Sequence, residues 1–411
     1  GAGDITQAQY NGYKAAWNSA LGTERRLRGT RKAQLAGVTA NLQQMAAGGY
    51  LNPSRLPVLF LTLARNQQYW RTGPLLSYGQ RVEFSGSRLV WEYYPGQGIE
   101  LTVLGSFGVA DGLYTAGRSH YAALQELLGE LIPLAAMRGG SLTWEYYFKF
   151  DGGIPPWTSA MSQGTAIEAL SRGYEALQED TKLQDVDYLS IAHQALAIFT
   201  RRPELGVGVP TARGRRFVQY SFAPGPGVEV INAFLQSLIG LYDYAQASGD
   251  PTAQSLFAIG NAEAESEVPH FDTGAWSLYQ PGEEDDLSYH ELVTGFLAQL
   301  CSQTGAPVYC TTAQHFQTYT KTPPALTLLT THARARKQIT LSFRLSKISH
   351  VGVVVLRGTQ TVFSTSASFP YGVHAFAVPA IRRTGQYTIH LAATDLAGNF
   401  DRIVGSVQIT R

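Results

Sequence analysis

From Thr6 to Ala47, apolar and alanine positions recur every three or four residues, first in YNGYKAAWNSAL and then in KAQLAGVTANLQQMA. That spacing predicts helix, and the basic, glycine-containing break RRLRGTRK divides the stretch into a helical hairpin. Between Tyr78 and Tyr94 the period falls to two, in RVEF, a Ser-Gly-Ser turn at 85–87, and RLVWEYY. Alternation on both sides of a turn predicts a two-stranded hairpin over about 78–95. From Leu101 to Thr330 the helical period returns, in segments such as HYAALQELLGELIPLAAM, QGTAIEALSRGYEALQ, NAFLQSLIGLYDYAQAS and YHELVTGFLAQLC, separated by Gly- and Pro-rich loops. After THARARKQ it stops, and ITLSFRLSK, HVGVVVLRG, HAFAVPA, GQYTIHLAATD and IVGSVQITR read as short alternating strands.

These patterns predict a mainly α fold over residues 1–332, with paired helices suggesting an incomplete (α/α) toroid that carries the β-hairpin as an insertion. A small β-sandwich is expected over 333–411. Loops at one end of a toroid frame a groove for a long ligand, an expectation by analogy. GQYTIHLAATDLAGN resembles the closing hairpin of immunoglobulin-like or fibronectin-like modules, whose expected role here is packing or spacing.

Composition narrows the partners. The 411 residues hold 32 Lys and Arg against 31 Asp and Glu, so no global field favours nucleic acid or an anionic membrane. A polyanion would have to be held locally. No apolar run approaches the ~18–20 residues of a membrane span, and Gly1-Ala2-Gly3-Asp4 has no export-signal pattern, so a processed, secreted or extracellular chain is expected. Cys301 and Cys310 flank Gly305 and Pro307, which let the chain turn back. The pair fits either a disulfide, adding ~2–3 kcal/mol in an oxidising compartment, or two buried thiols. The sequence leaves the oligomeric state open.

Six segments carry candidate chemistry. In PWTSAMSQGTAIEALSRGY, from Pro156 to Tyr174, Trp157 offers a flat apolar face to a sugar ring and Gln163 an amide near a helix N-terminus that favours anions. The alternatives are a core tryptophan and a loop-fixing glutamine. In NAFLQSLIGLYDYAQASGD, Leu235, Leu238, Ile239 and Leu241 read as core and Asn232 as a ligand residue. HFDTGAWSLYQ and SYHELV hold Tyr279, Tyr289 and His290, and ARGRRFVQYSFAP holds Arg216, Gln219 and Tyr220. WEYYPGQGIEL adds Tyr94, with Gly96 and Gly98 permitting close backbone approach.

Taken together, Trp91 to Gly295 resembles the C-terminal catalytic domain of D-glucuronyl C5-epimerases. Trp157, Ser159, Ala160, Met161, Gln163 and Gly164 match that family's Trp-Tyr-Ser-Ala-Met-Ala-Gln-Gly helix start, with Thr158 and Ser162 departing. Ala233 replaces Gly in its Asn-Gly-Phe helix. The resemblance implies catalytic roles for Tyr279, Tyr289 and Tyr220, the last across a small insertion before Asn232. It implies substrate binding by Trp157, Gln163, Asn232, His290, Tyr94, Arg216 and Gln219, on a uronate-containing polysaccharide and without cofactor or metal.

Tyrosines can serve such a reaction on chemical grounds. Inverting C5 of a uronate removes a proton α to a carboxylate on one face and returns one on the other. Two proton-transfer groups must therefore face each other across the ring. A phenol needs a nearby cation or strong donors to act as base at neutral pH, and the anionic intermediate needs the same around its carboxylate. Arg216 and His290 are the expected sources. Two departures fall where the family handles charge: Gln280-Pro281-Gly282 stands where an Arg follows the matched tyrosine, and Gln219 replaces a Glu.

A lyase shares the first proton removal, a glycoside hydrolase would draw on Asp151, Glu145, Asp243 or Asp272, and a non-catalytic glycan binder would keep only the groove. Asp272 is expected to orient its loop. No HExxH, Walker-type or GxGxxG pattern is present. The acidic run Glu283, Glu284, Asp285, Asp286 reads as a solvated loop in preference to a calcium site.

Overall fold

The computed structural model describes residues 5–222 and 229–411. Gly1–Asp4, and residues 223–228 within the insertion between Tyr220 and Asn232, lie outside the described residues. The chain divides into two compact units, Gly1–Ala264 and Glu265–Arg411. It is helix-rich, with a β-rich C-terminal region.

The first unit opens with α1 (Gln7–Arg26), α2 (Gly29–Ala47) and α3 (Leu56–Trp70), packed on one another. Thr6 starts α1 with a capping box to Gln9. β1 (Arg81–Val82) and β2 (Trp91–Tyr94) pair antiparallel with Val82 opposite Trp91. β3 (Gly98–Leu101) adds a third strand, which the period-two reading had ended at a turn. All four of its residues are buried, and a strand covered on both faces shows no alternation to read.

Then come α4 (Val103–Thr115), α5 (Tyr121–Leu131), the hairpin β4 (Ala136–Arg138) and β5 (Ser141–Thr143), α6 (Ala160–Glu179) and α7 (Tyr188–Ala195). The hairpin β6 (Gly208–Pro210) and β7 (Arg215–Phe217), α8 (Ile231–Ser248) and α9 (Pro251–Glu267) follow. The central helix is α6, which packs against α4, α5, α7 and α8. Its approach to α8 is close enough that a Cβ on Gly240 would sit 2.0 Å from the Gly164 carbonyl oxygen. Both glycines lie in the motif segments, so packing alone accounts for them. Arg172 on α6 ties the same helices together, bonding Asp111 of α4 at 3.0 Å and Glu168 at 2.5 Å, and Gln236 of α8 donates to Glu168.

In the second unit β8 (Leu278–Gln280) and β9 (Glu283–Glu284) form a hairpin that leads into α10 (Leu287–Thr304) and α11 (Pro307–Tyr319). Gly305, at φ 67°, ends α10 in the left-handed region that reverses the chain. Cys301 and Cys310 are bridged across this reversal with Cα atoms 4.8 Å apart.

The remaining strands are β10 (Leu326–Leu328), β11 (His332–Arg334), β12 (Ile339–Leu345), β13 (Ser349–Arg357), β14 (Gln360–Phe369), β15 (Gly372–Val378), β16 (Gly385–Asp395) and β17 (Phe400–Thr410). They form a three-stranded sheet, β10-β12-β15, and a five-stranded one, β11-β17-β16-β13-β14. Alternate residues such as Val351, Val353, Val355, Ile389 and Leu391 point into one core shared with Leu341 and Phe343.

Candidate functional site

The segment from Trp144 to Trp157 organises the first unit's site. Tyr146 and Trp157 form a bridge pair, as do Phe150 and Gly153, which folds 146–157 back on itself. Trp157 stacks on Tyr146 at 4.2 Å, meets Phe150, Tyr220 and Phe222, and donates its indole N–H to the Phe148 carbonyl at 2.8 Å. Only 3% of it is exposed, so it is a core residue supporting an aromatic wall, not the sugar platform the sequence suggested. Gln163 also turns out structural. Its Nε2 donates to the Trp144 carbonyl and the Thr158 hydroxyl, its Oε1 accepts from Trp144 N, and it is fully buried. An amide spent in this way has nothing left for a substrate.

A cavity of about 930 Å³ opens beside this wall, lined by Arg55, Arg138, Arg201, Arg202 and Phe222 among others. Two of these arginines bond Glu145, which has its side chain wholly out of water and accepts from Arg55 at 2.6 and 2.8 Å, from Arg138 at 2.7 Å and from the Tyr147 hydroxyl at 2.9 Å. Two guanidinium groups thus share one carboxylate, and Arg201 and Arg202 add charge at the rim. Burial, reinforced by Glu145, holds the Tyr147 phenol far above its usual range. Glu145 therefore holds the arginines and does not act as a hydrolytic acid.

Tyr220 stands next to the cavity, stacked on Phe222 at 5.1 Å. Tyr94 reaches the same aromatic set through Phe148 at 4.5 Å. Its hydroxyl donates to Glu92, and burial together with that carboxylate pushes the phenol upward, so it stays protonated at neutral pH. Arg216 is buried over the ring of Phe234 at 5.4 Å, where burial lowers it to about 10, leaving it charged at neutral pH. Gln219 Oε1 and both amide atoms of Asn232 are buried without a hydrogen-bond partner among the described residues. Unspent polar atoms of this kind are rare in folded proteins and suit a bound ligand.

Tyr279 and Tyr289 lie in the second unit, with ring centroids 5.0 Å apart. Asp286 caps α10 and accepts from Tyr289 N, which places Tyr289 in the first turn with 41% of it exposed. His290, one residue on and about 100° around the helix, points the other way. It is fully buried, stacked on Trp276 at 3.8 Å. Nε2 donates to the Phe316 carbonyl at 3.0 Å, Nδ1 lies 2.7 Å from Ser277 Oγ, and burial pulls its pKa down. His290 is thus a neutral core residue, correcting the expectation that it meets substrate.

The acidic run is not a solvated loop either. Glu283 accepts from Gln280, Glu284 from the backbone N–H groups of Ile348 and Tyr371, and Asp285 lies 2.5 Å from Ser277 Oγ. With Asp286 as cap, each acid has a partner: the β8–β9 hairpin and the α10 terminus supply donors to three of them, and the backbone of Ile348 and Tyr371 to Glu284. No group of His, Cys, Asp or Glu suited to a metal occurs among the described residues. Asp272 accepts from Gly274 N, His315 and Tyr319 and so orders its own loop.

The family model described as "D-glucuronyl C5-epimerase C-terminus" matches residues 138–318, which span Glu145, Trp157, Tyr220, Asn232, Tyr279 and Tyr289. This segment is similar to the C-terminal part of D-glucuronyl C5-epimerases. A D-glucuronyl C5-epimerase of Caenorhabditis elegans is 36% identical over 142 residues, 31% of this chain and 21% of that protein. An uncharacterized protein of Methanocaldococcus jannaschii is 25% identical over 175 residues, 41% of this chain and 54% of that one. The chain therefore spans between about a fifth and about half the length of these relatives. Among solved structures, a cellobiose 2-epimerase from Spirochaeta thermophila aligns at a TM-score of 0.41 and 13% identity over 70% of this chain and 72% of its own. A likeness so distant carries no argument about the chemistry here.

Proposed function

We propose that the chain is a uronyl C5-epimerase acting on a glucuronate-containing polysaccharide, with Tyr279, Tyr289 and Tyr220 as its proton-transfer groups. The observation that carries this reading is the family match over 138–318, which contains all three tyrosines. The chemistry supports it: removal of the C5 proton leaves charge on the adjoining carboxylate, and preorganised cations and amide donors stabilise such charge. Arg55, Arg138, Arg201 and Arg202 at the cavity, with the unspent Nδ2 of Asn232, are groups of this kind in the first unit. From its paired helices we read the helical part as an incomplete α/α toroid, and from the resemblance of GQYTIHLAATDLAGN to such modules we read the β-rich part as immunoglobulin-like. The Cys301–Cys310 bridge supports an exported protein, since such bonds persist in oxidising compartments.

Incubating polyglucuronate and N-acetylglucosamine–glucuronate chains with the protein in deuterated water tests the reading. Deuterium should enter at C5, and iduronate should accumulate. No uptake and an unchanged uronate composition would remove the proposal. One observation favours a second outcome for the same intermediate: Gln280-Pro281-Gly282 stands where the resembled family has an Arg. With weaker hold on the carboxylate, β-elimination of the 4-linked sugar would give unsaturated products that absorb in the ultraviolet.

A further inference from the structure

The charge of this chain is near balance overall but not locally. Residues 331–411 contain ten Lys and Arg against two acids, Asp395 and Asp401. The fold then sorts these charges by the register of the five-stranded sheet. The start of β16 lies against the end of β17, with Gly385 opposite Ile409. The end of β13 lies against the start of β16, with Leu356 opposite Thr388, and the end of β11 runs parallel to the end of β17, with Arg334 opposite Thr410. One end of the sheet therefore gathers the residues that close β13, precede β16, and follow β11 and β17. These are Arg357, then Arg382 and Arg383, then Arg336 and Arg411, and together they line a cavity of about 540 Å³.

The backbone fixes the loops that present them. Arg336 N donates to the Ile381 carbonyl at 2.8 Å, Ala335 N to the Thr410 carbonyl at 2.8 Å, and the Tyr387 hydroxyl to the Arg383 carbonyl at 2.9 Å. The guanidinium groups are left outward: Arg336, Arg382, Arg383 and Arg411 are exposed and Arg357 half-buried. Among the described residues, no Asp or Glu side chain lines the cavity. Both acids of 331–411 sit at the opposite end of the sheet, Asp395 facing Ser349 and Asp401 facing Ala393. That end is roughly 30 Å away along β16, several Debye lengths at physiological salt. Asp395 is also already bound to Lys347 at 2.6 Å.

We propose that this end of the β-rich region is a docking site for an anionic polysaccharide, recognised through the carboxylate or sulfate groups it repeats along its length. Arginine forks bind such oxyanions in pairs, and five of them around one concavity can hold successive groups of a chain. Single-stranded nucleic acid is the poorer fit, because among the described residues no aromatic ring lines the cavity to stack a base. The site lies outside the matched segment 138–318. It would keep a long polymer on the protein without touching the reacting sugar.

The test uses the full chain carrying Arg336→Gln, Arg382→Gln and Arg383→Gln together, with Arg344→Gln plus Arg402→Gln as a control outside the cavity. Equilibrium binding is measured to polyglucuronate and to heparin, to separate carboxylate from sulfate recognition, and to duplex DNA and phosphatidylserine vesicles. The triple variant should bind at least one of the two glycans about tenfold more weakly at low salt, with a shallower salt dependence, while the control binds like the parent. Equal loss in the control, no loss in the triple variant, or tighter parental binding to DNA or vesicles than to either glycan would each overturn the proposal. Binding is read without turnover, so failure of the epimerase reading leaves this result interpretable. Deuterium exchange into a glucuronate tetrasaccharide should be unchanged in the triple variant.

Discussion

Glu145 holds Arg55, Arg138 and Tyr147 with no water at its side chain, so Glu145→Gln leaves two guanidinium groups facing a neutral amide in the interior. Removing one member of a buried ionic cluster typically costs about 3–5 kcal/mol. Urea denaturation should show a loss of that order; an unchanged midpoint would return Glu145 to the list of reaction acids. Tyr289→Phe is the converse case. Its ring is 41% exposed, so stability should move by less than about 0.5 kcal/mol, while C5 deuterium exchange should fall at least ~100-fold if its hydroxyl transfers the proton. Retained exchange in a folded Tyr289→Phe protein would remove it from the mechanism. The adjacent His290 shows what a motif does not carry. Neighbours on a helix face different ways, and the Tyr-His pair does not say which faces in.

At the scale of elements, the α6–α8 crossing depends on two absent side chains. A Cβ at Gly240 would meet the backbone oxygen of Gly164, and one at Gly164 would lie 2.6 Å from Ser237 Cα. Backbone cannot rotate aside, so Gly240→Ala should lose about 2–3 kcal/mol or force the helices apart. Thermal melts decide it: a Tm equal to that of the parent would mean the helices have freedom this packing denies them. The α10–α11 reversal has a covalent counterpart. Replacing Cys301 and Cys310 by serine should destabilise the chain by about 2–3 kcal/mol through the freed loop, and reductant should have no further effect on that variant.

Across the whole molecule, buried acids set the pH response. Burial drives Glu100 well above its usual range and, together with the charge of Glu168, does the same to Asp111, while burial raises Asp285 to about 7. An unfolded carboxyl titrates near ~4, so between that value and the raised folded one the native state binds more protons than the unfolded state. Stability is therefore fullest on the acidic side and falls as pH rises towards neutrality. Below about 6.5 His290 opposes this, because its lowered pKa makes the unfolded state the better proton acceptor. Ser277 Oγ donates to Asp285 Oδ2 and lies 2.7 Å from His290 Nδ1, while Nε2–H donates to Phe316; the serine bond favours the ionised Asp285, and burial outweighs it. Melts between pH 5 and 8 should show Tm declining as pH rises, and Asp285→Asn should flatten the part of the decline below about pH 7, above which Asp285 is ionised in both states. A Tm that rises towards neutrality would contradict the shifts.

The sequence by itself determined the helical and strand segments whose period is exposed on one face: the Thr6–Ala47 hairpin, the β1–β2 pair, and the alternating strands after residue 332. It also carried the resemblance to D-glucuronyl C5-epimerases, because Trp157, Gln163, Asn232, Tyr279 and Tyr289 stand in order along linear motifs. Only the tertiary structure decided what those residues touch. It turned Trp157, Gln163 and His290 inward, left Tyr289 exposed and the buried amide of Asn232 unspent, and found β3, whose burial on both faces erases the alternation. It also gathered Arg336, Arg357, Arg382, Arg383 and Arg411, scattered over some seventy-five positions, at one end of a sheet. Periodicity records whether a residue faces water along its own element. Proximity between distant residues depends on strand register and helix crossing, which no local pattern contains.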